Sequence, residues 1–283
     1  MRPLNEKETC LPIRCNLTLL YMFSLVIAIL TAIASMIGII FPNIVYPTEV
    51  LFEAFASNDI VNLLIGLPIL LVSMWLARQG RTLGILLWPG ALIFTFYNSM
   101  VYTLVVPMNA VFILHMITVV LSACTFITLL ANIDGGKVRE QLAGSVHERL
   151  AGGILVGFGV LFLIMVISSI ATALIQKTPI PGTEFALHIS DLILSPVLII
   201  GGVALWKRNE LGYALGLGLL FQISMLFIGL IAVFMLQPFI THTPIPVTDT
   251  VVILVMGLIA FIPLALFIRG VERTRKQSPK KTI

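Results

Sequence analysis

Charge is scarce in this chain. Of its 283 residues only 11% are Asp, Glu, Lys or Arg, against 59% hydrophobic residues, and the mean hydropathy is +1.08. A soluble protein of this length needs far more charge to cover its surface, so lipid must be the solvent for most of the exterior. Cysteine is equally sparse. The three residues are Cys10, Cys15 and Cys124, which excludes a disulfide scaffold. Cys10 and Cys15 have no nearby His to complete a metal site and read as free thiols, with reversible acylation beside the membrane helix as the alternative. Cys124 lies in an apolar run and reads as a small packing residue.

Catalytic signatures are missing as well. There is no P-loop, no His-x-x-x-His, no His-Glu-x-x-His and no Gly-x-Ser-x-Gly. No cofactor is implied. The net charge of +4 comes from basic residues in short loops and a tail. They form no continuous face of the kind that binds nucleic acid.

What is present is a set of long apolar runs. A membrane helix needs about 20 apolar residues at about 1.5 Å each. Eight runs qualify: 17–41, 60–77, 83–106, 109–131, 152–176, 189–206, 211–236 and 249–268. The first is too long for a signal-peptide core and has no small-residue cleavage site after it, so it reads as a retained span. The expected fold class is all-α, a polytopic integral membrane bundle of about eight transmembrane helices.

Positive charge is segregated around these runs. Of 17 Lys and Arg residues only Lys177 falls on one side. Arg2, Lys7, Arg14, Arg78, Arg81, Lys137, Arg139, Arg149, Lys207, Arg208, Arg269, Arg273, Arg275, Lys276, Lys280 and Lys281 fall on the other. The rule that cytoplasmic loops are positive places both termini inside the cell. Glu49, Glu53, Asp59, Glu184, Asp191 and Asp249 then share the outer side with Lys177.

The two halves echo one another. Each has an acidic outer loop and a span with a mid-helix proline (Pro68, Pro196). A short basic turn follows, then Leu-Gly opens the next span (Leu83-Gly84, Leu211-Gly212). Pro68 to Gly84 and Pro196 to Gly212 have equal spacing. This predicts a parallel 4+4 duplication, 17–131 and 152–269, related by an axis near the membrane normal. The flanks are an N-terminal segment, 1–16, and a polybasic tail, 270–283, attracted to anionic lipid headgroups. The linker, 132–151, carries Val138, Leu142, Val146 and Leu150 every four residues. That spacing predicts a short amphipathic helix along the inner headgroups. In the outer loops Thr48, Thr183 and Thr248 are expected helix caps, with Glu49, Glu184 and Asp249 favoured by the helix dipole in the first turn.

Ionisable groups inside spans are the best pointers to function, because each needs a partner in lipid. Counting along the helices puts Asn98, Tyr102, His115, His188 and Asp191 in the outer third of the bilayer, with Asp59 and Glu184 at its rim. The expectation is an outward-opening polar pocket between the halves, holding a small-molecule ligand. A transporter-like or ligand-binding role follows from it. Two other readings compete. One is a metal-dependent hydrolase at the outer leaflet, drawing on His115, His188 and His242. The other is a non-catalytic assembly or sensor subunit with an unidentified protein partner.

Overall fold

The computed structural model describes residues 12–13, 17–242 and 244–277. The chain builds helices α1 (Thr18–Ile40), α2 (Pro42–Val45) and α3 (Glu49–Val61). A π-turn (Asn62–Gly66) joins α3 to α4 (Leu67–Arg78). Then follow α5 (Thr82–Val105), α6 (Ala110–Asn132), α7 (Gly135–Leu142), α8 (Glu148–Gln176), α9 (Gly182–Trp206), α10 (Glu210–Ile240) and α11 (Val247–Gln277). Counting α3, the π-turn and α4 as one rod, eight helices among the described residues are long and apolar enough to cross a membrane. The protein is a multi-pass helical membrane bundle.

Helix starts follow local side-chain chemistry. Asn109 accepts from the N–H groups of Val111 and Phe112 at 2.9 and 3.0 Å, and Asn209 accepts from Leu211 at 3.3 Å. Each satisfies donors that the first helical turn leaves unpaired. Thr48 caps α3 as expected, accepting from Leu51. Thr183 and Thr248 do not cap. The prolines before them start α9 and α11 earlier, and their carbonyls already accept from Phe185 and Thr250, which puts both threonines inside the first turn. The acids Glu49, Glu184 and Asp249 do lie in first turns.

Helices α5 and α10 form the centre. They cross where Gly90 lies against the Gly218 backbone, with no room for a Cβ at Gly90. Small residues at such a crossing let backbones approach closely without a hydrophobic drive between helices. The α4–α5 and α9–α10 turns are built alike. In the first, Arg81 donates to the Leu76 carbonyl and Gly84 presses on the Ala77 backbone; in the second, Asn209 donates to Ala204 and Gly212 presses on Leu205. Gly80 and Arg208, at matching places in the two turns, both have positive φ.

The lipid-facing surface is apolar, as on α1 with Leu19, Met22, Val26, Ile29 and Ile33. Cys124 also faces outward; it is a lipid-facing residue, not the packing residue expected. Cys10 and Cys15 lie outside the described residues.

The linker departs from expectation. Helix α7 stops at Leu142, and a turn through Gly144 (φ +78°) precedes α8. Val138, Leu142 and Val146 are buried against the protein, with Gly135 packed on the Glu210 backbone. Leu150 belongs to α8 and is exposed. The apolar stripe therefore covers the start of α10 instead of lying on headgroups.

Candidate polar site in the outer part of the bundle

Pro68 shapes the site from a distance. Lacking an N–H, it leaves the Leu64 carbonyl without its usual helical donor, and its ring crowds that carbonyl. The helix widens here: the Leu67 N–H donates to the Asn62 carbonyl, five residues back. Such π-turns often accompany functional positions in helices. Asn62 and Gly66 line a small cavity of about 10 Å³ together with Thr31, Thr95, Asn98, Ser99 and His115. That is room for about one water molecule.

His115 is 2% exposed. Among the described residues neither of its ring nitrogens has a hydrogen-bond partner, nor does the hydroxyl of Thr31. Its ring stacks on Tyr102, with centroids 4.4 Å apart and planes inclined by 20°. Asn98 spends its amide N–H on the Phe94 carbonyl, at 3.1 Å, which leaves its own carbonyl oxygen to accept.

The stack leads to a buried carboxylate. Tyr102 donates to Asp59 at 3.1 Å, and its oxygen accepts from Asn58 at 3.2 Å. Tyr46, in the loop after α2, donates to the other oxygen of Asp59. Gly38 of α1 sits against this carboxylate, and a Cβ there would strike it. Asp59 is wholly buried. It was expected at the rim, but α3 begins at Glu49, well before the apolar run from residue 60, and carries Asp59 into the bundle, roofed by the loop that holds Tyr46. Burial, and next the charge of Asp59, push the Tyr46 phenol well above its ordinary pKa. Tyr46 therefore stays a proton donor.

The remaining expected residues lie elsewhere. Tyr97 of α5 donates to Asp191 of α9 at 2.9 Å. Glu184 takes a hydrogen bond from Ser169 of α8 at 2.9 Å and pairs with His188 at 3.2 Å. Helix geometry explains the separation. Asn98 and Tyr102 are four residues apart and share a face of α5, whereas Tyr97 leaves the helix about 140° from Tyr102. The seven residues thus form two groups. Asn98, Tyr102, His115 and Asp59 lie among the first four spans, and Asp191, His188 and Glu184 lie around α9.

Sequence reading missed Tyr46, Asn62, Thr31 and Tyr97. The proline after Tyr46 and the four-residue step between Asn58 and Asn62 were the available signals, and neither distinguishes a buried partner from an ordinary loop or helix polar residue. Gln222 is buried in α10, and neither of its amide atoms has a hydrogen-bond partner among the described residues. Among the described residues no three His, Cys, Asp or Glu side chains converge to hold a metal ion. No family model, no curated protein and no solved structure matches the chain.

Proposed function

We propose that this membrane protein is transporter-like, binding a small polar solute in the chamber bounded by His115, Asn98, Asn62 and Thr31, with Asp59 behind it through Tyr102, and opening to the outer face. One observation carries the reading: His115 is buried in the bundle, beside a cavity, with both ring nitrogens unpaired among the described residues. An orphaned polar group of this kind costs about 1–3 kcal/mol. A ligand that meets the ring nitrogens offsets that cost. The widened helix beside it and the Tyr46 contact above it supply a deformable wall and a closure.

The duplication is part of the same proposal. It is supported by the matching α4–α5 and α9–α10 turns and by the Gly90–Gly218 crossing. The chamber then belongs to one half instead of the seam between them. Both termini are placed in the cytoplasm by the distribution of positive charge, with the polybasic tail on anionic lipid. The geometry gives no particular support to a metal-dependent hydrolase.

Thiol accessibility tests the chamber without knowledge of the solute. In a background with Cys10, Cys15 and Cys124 replaced by Ser, Asn98→Cys is exposed to a charged, membrane-impermeant thiol reagent added outside sealed cells. Labelling should be faster than at Ile113→Cys, a lipid-facing position. Equal or slower labelling at Asn98→Cys defeats the proposal.

A further inference from the structure

At the basic end of the bundle, far along the chain from the polar chamber, an open cleft of about 730 Å³ lies between the segment 144–147, the start of α8, the α9–α10 turn and α11. Arg149, Arg208 and Arg273 line it, together with His147. The three arginines come from three elements that are distant in sequence. Loop charge bias alone explains their side of the membrane, but not their convergence on one opening.

Glu148, the one carboxylate among the described residues that line the cleft, is already engaged. It accepts from Tyr213 at 2.8 Å and from the Gly144 N–H at 3.2 Å, and lies 3.7 Å from the Arg208 guanidinium. Its side chain is nearly buried. This fixes the turn that carries Arg208, and it balances one positive charge. Arg149 and Arg273 add two more. Helix α8, 29 residues long, starts in the same cleft with no side-chain cap. Its first N–H groups and its dipole favour an anion at this place. Gly270 packs on the Ser145 carbonyl and keeps α11 against the cleft wall. Leu150, exposed and apolar, forms the edge of the cleft, so the opening continues onto the lipid-facing surface of α8.

We propose that this cleft binds a phosphate group, that of an anionic phospholipid, with the acyl chains running down α8 past Leu150. Guanidinium groups meet phosphate oxygens in a planar, paired geometry that a Lys ammonium does not reproduce, and the strong cations among the described residues that line the cleft are all Arg. The site does not depend on the chamber at His115.

The test uses the full chain in a neutral detergent and follows its unfolding temperature against dioctanoyl phosphatidylglycerol, dioctanoyl phosphatidylcholine and inorganic phosphate. Phosphatidylglycerol should stabilise saturably, and the choline lipid should not. The double variant Arg149→Gln/Arg273→Gln leaves the Glu148 contacts intact and should weaken phosphatidylglycerol binding by about tenfold or more. Arg81→Gln, outside the cleft, should leave it unchanged. Arg273→Gln alone, an exposed substitution on α11, should show part of the loss and covers the case in which the double variant fails to fold. Saturable binding of inorganic phosphate that is lost in the same variants supports the phosphate site and makes the source soluble instead of lipid. Equal stabilisation by both lipids, or unchanged phosphatidylglycerol binding in the Arg149 and Arg273 variants, overturns the proposal.

Discussion

Gly90 of α5 and Gly218 of α10 meet backbone to backbone at the centre of the bundle. They are separated in sequence by the same interval as Pro68 from Pro196 and Gly84 from Gly212. Equivalent positions of two similar halves contact each other only where a two-fold axis passes between them. In the proposed duplication these two glycines would be equivalent positions, and its axis would pass through the α5–α10 crossing.

The crossing should be intolerant of even one methyl group. Gly90→Ala directs a Cβ into the Gly218 carbonyl, and overpacking of this kind costs about 1–3 kcal/mol. The unfolding temperature in detergent should fall by several degrees. Gly157→Ala, where a Cβ meets nothing, should leave it unchanged or slightly raised.

Removing one donor from Asp59 should be felt as instability. Tyr46→Phe deletes the hydrogen bond to one carboxylate oxygen and keeps the ring packed on Phe55, whose centroid is 5.9 Å away. The expected loss is about 1–3 kcal/mol, since a buried carboxylate is left under-satisfied. Asp59→Asn in the Tyr46→Phe background should recover part of it by removing the charge. Unfolding of the parent chain and the two variants in denaturant checks the order.

The three tryptophans report the lipid boundary. Trp75 and Trp206 are 56% and 51% exposed, whereas Trp88 is wholly buried and donates to Ser24 at 3.0 Å. In bilayers of brominated lipid, single-tryptophan variants that retain Trp75 or Trp206 should be strongly quenched. The variant that retains Trp88 should keep most of its emission. Equal quenching of all three would contradict the packing of α1 against α5.

Orientation is open to a direct check. A reporter fused after Ile283 should be cytoplasmic, and one inserted near Thr241 should be external. A C-terminal reporter active only outside the cytoplasm would reverse the assignment.

The spans were legible in the sequence because lipid imposes a long apolar run and the loops segregate charge. The start of the second span was not. Glu53, Asn58 and Asp59 lower its hydropathy, so the helix reads as beginning near residue 60, whereas it begins at Glu49. Hydropathy cannot tell a carboxylate in water from one enclosed by two phenols. Asn98, Tyr102 and His115 were legible as polar residues at similar depth. Depth fixes height along the axis but not azimuth, and azimuth is what separates Tyr97 and Asp191 from Tyr102 and Asp59. Tyr46 was illegible for a different reason. Its role depends on a loop folding back over α3, which no periodicity encodes.

Asp59 has Leu187 at the corresponding place in the second half, and Asp191 has Leu63 in the first. In the proposed duplication the halves would share a frame without sharing chemistry. A solute held beside His115 would have no twin seat across the axis, so titration of the purified chain should reach its end point at one equivalent, with a simple hyperbolic curve. A sigmoidal curve could then arise only between separate molecules.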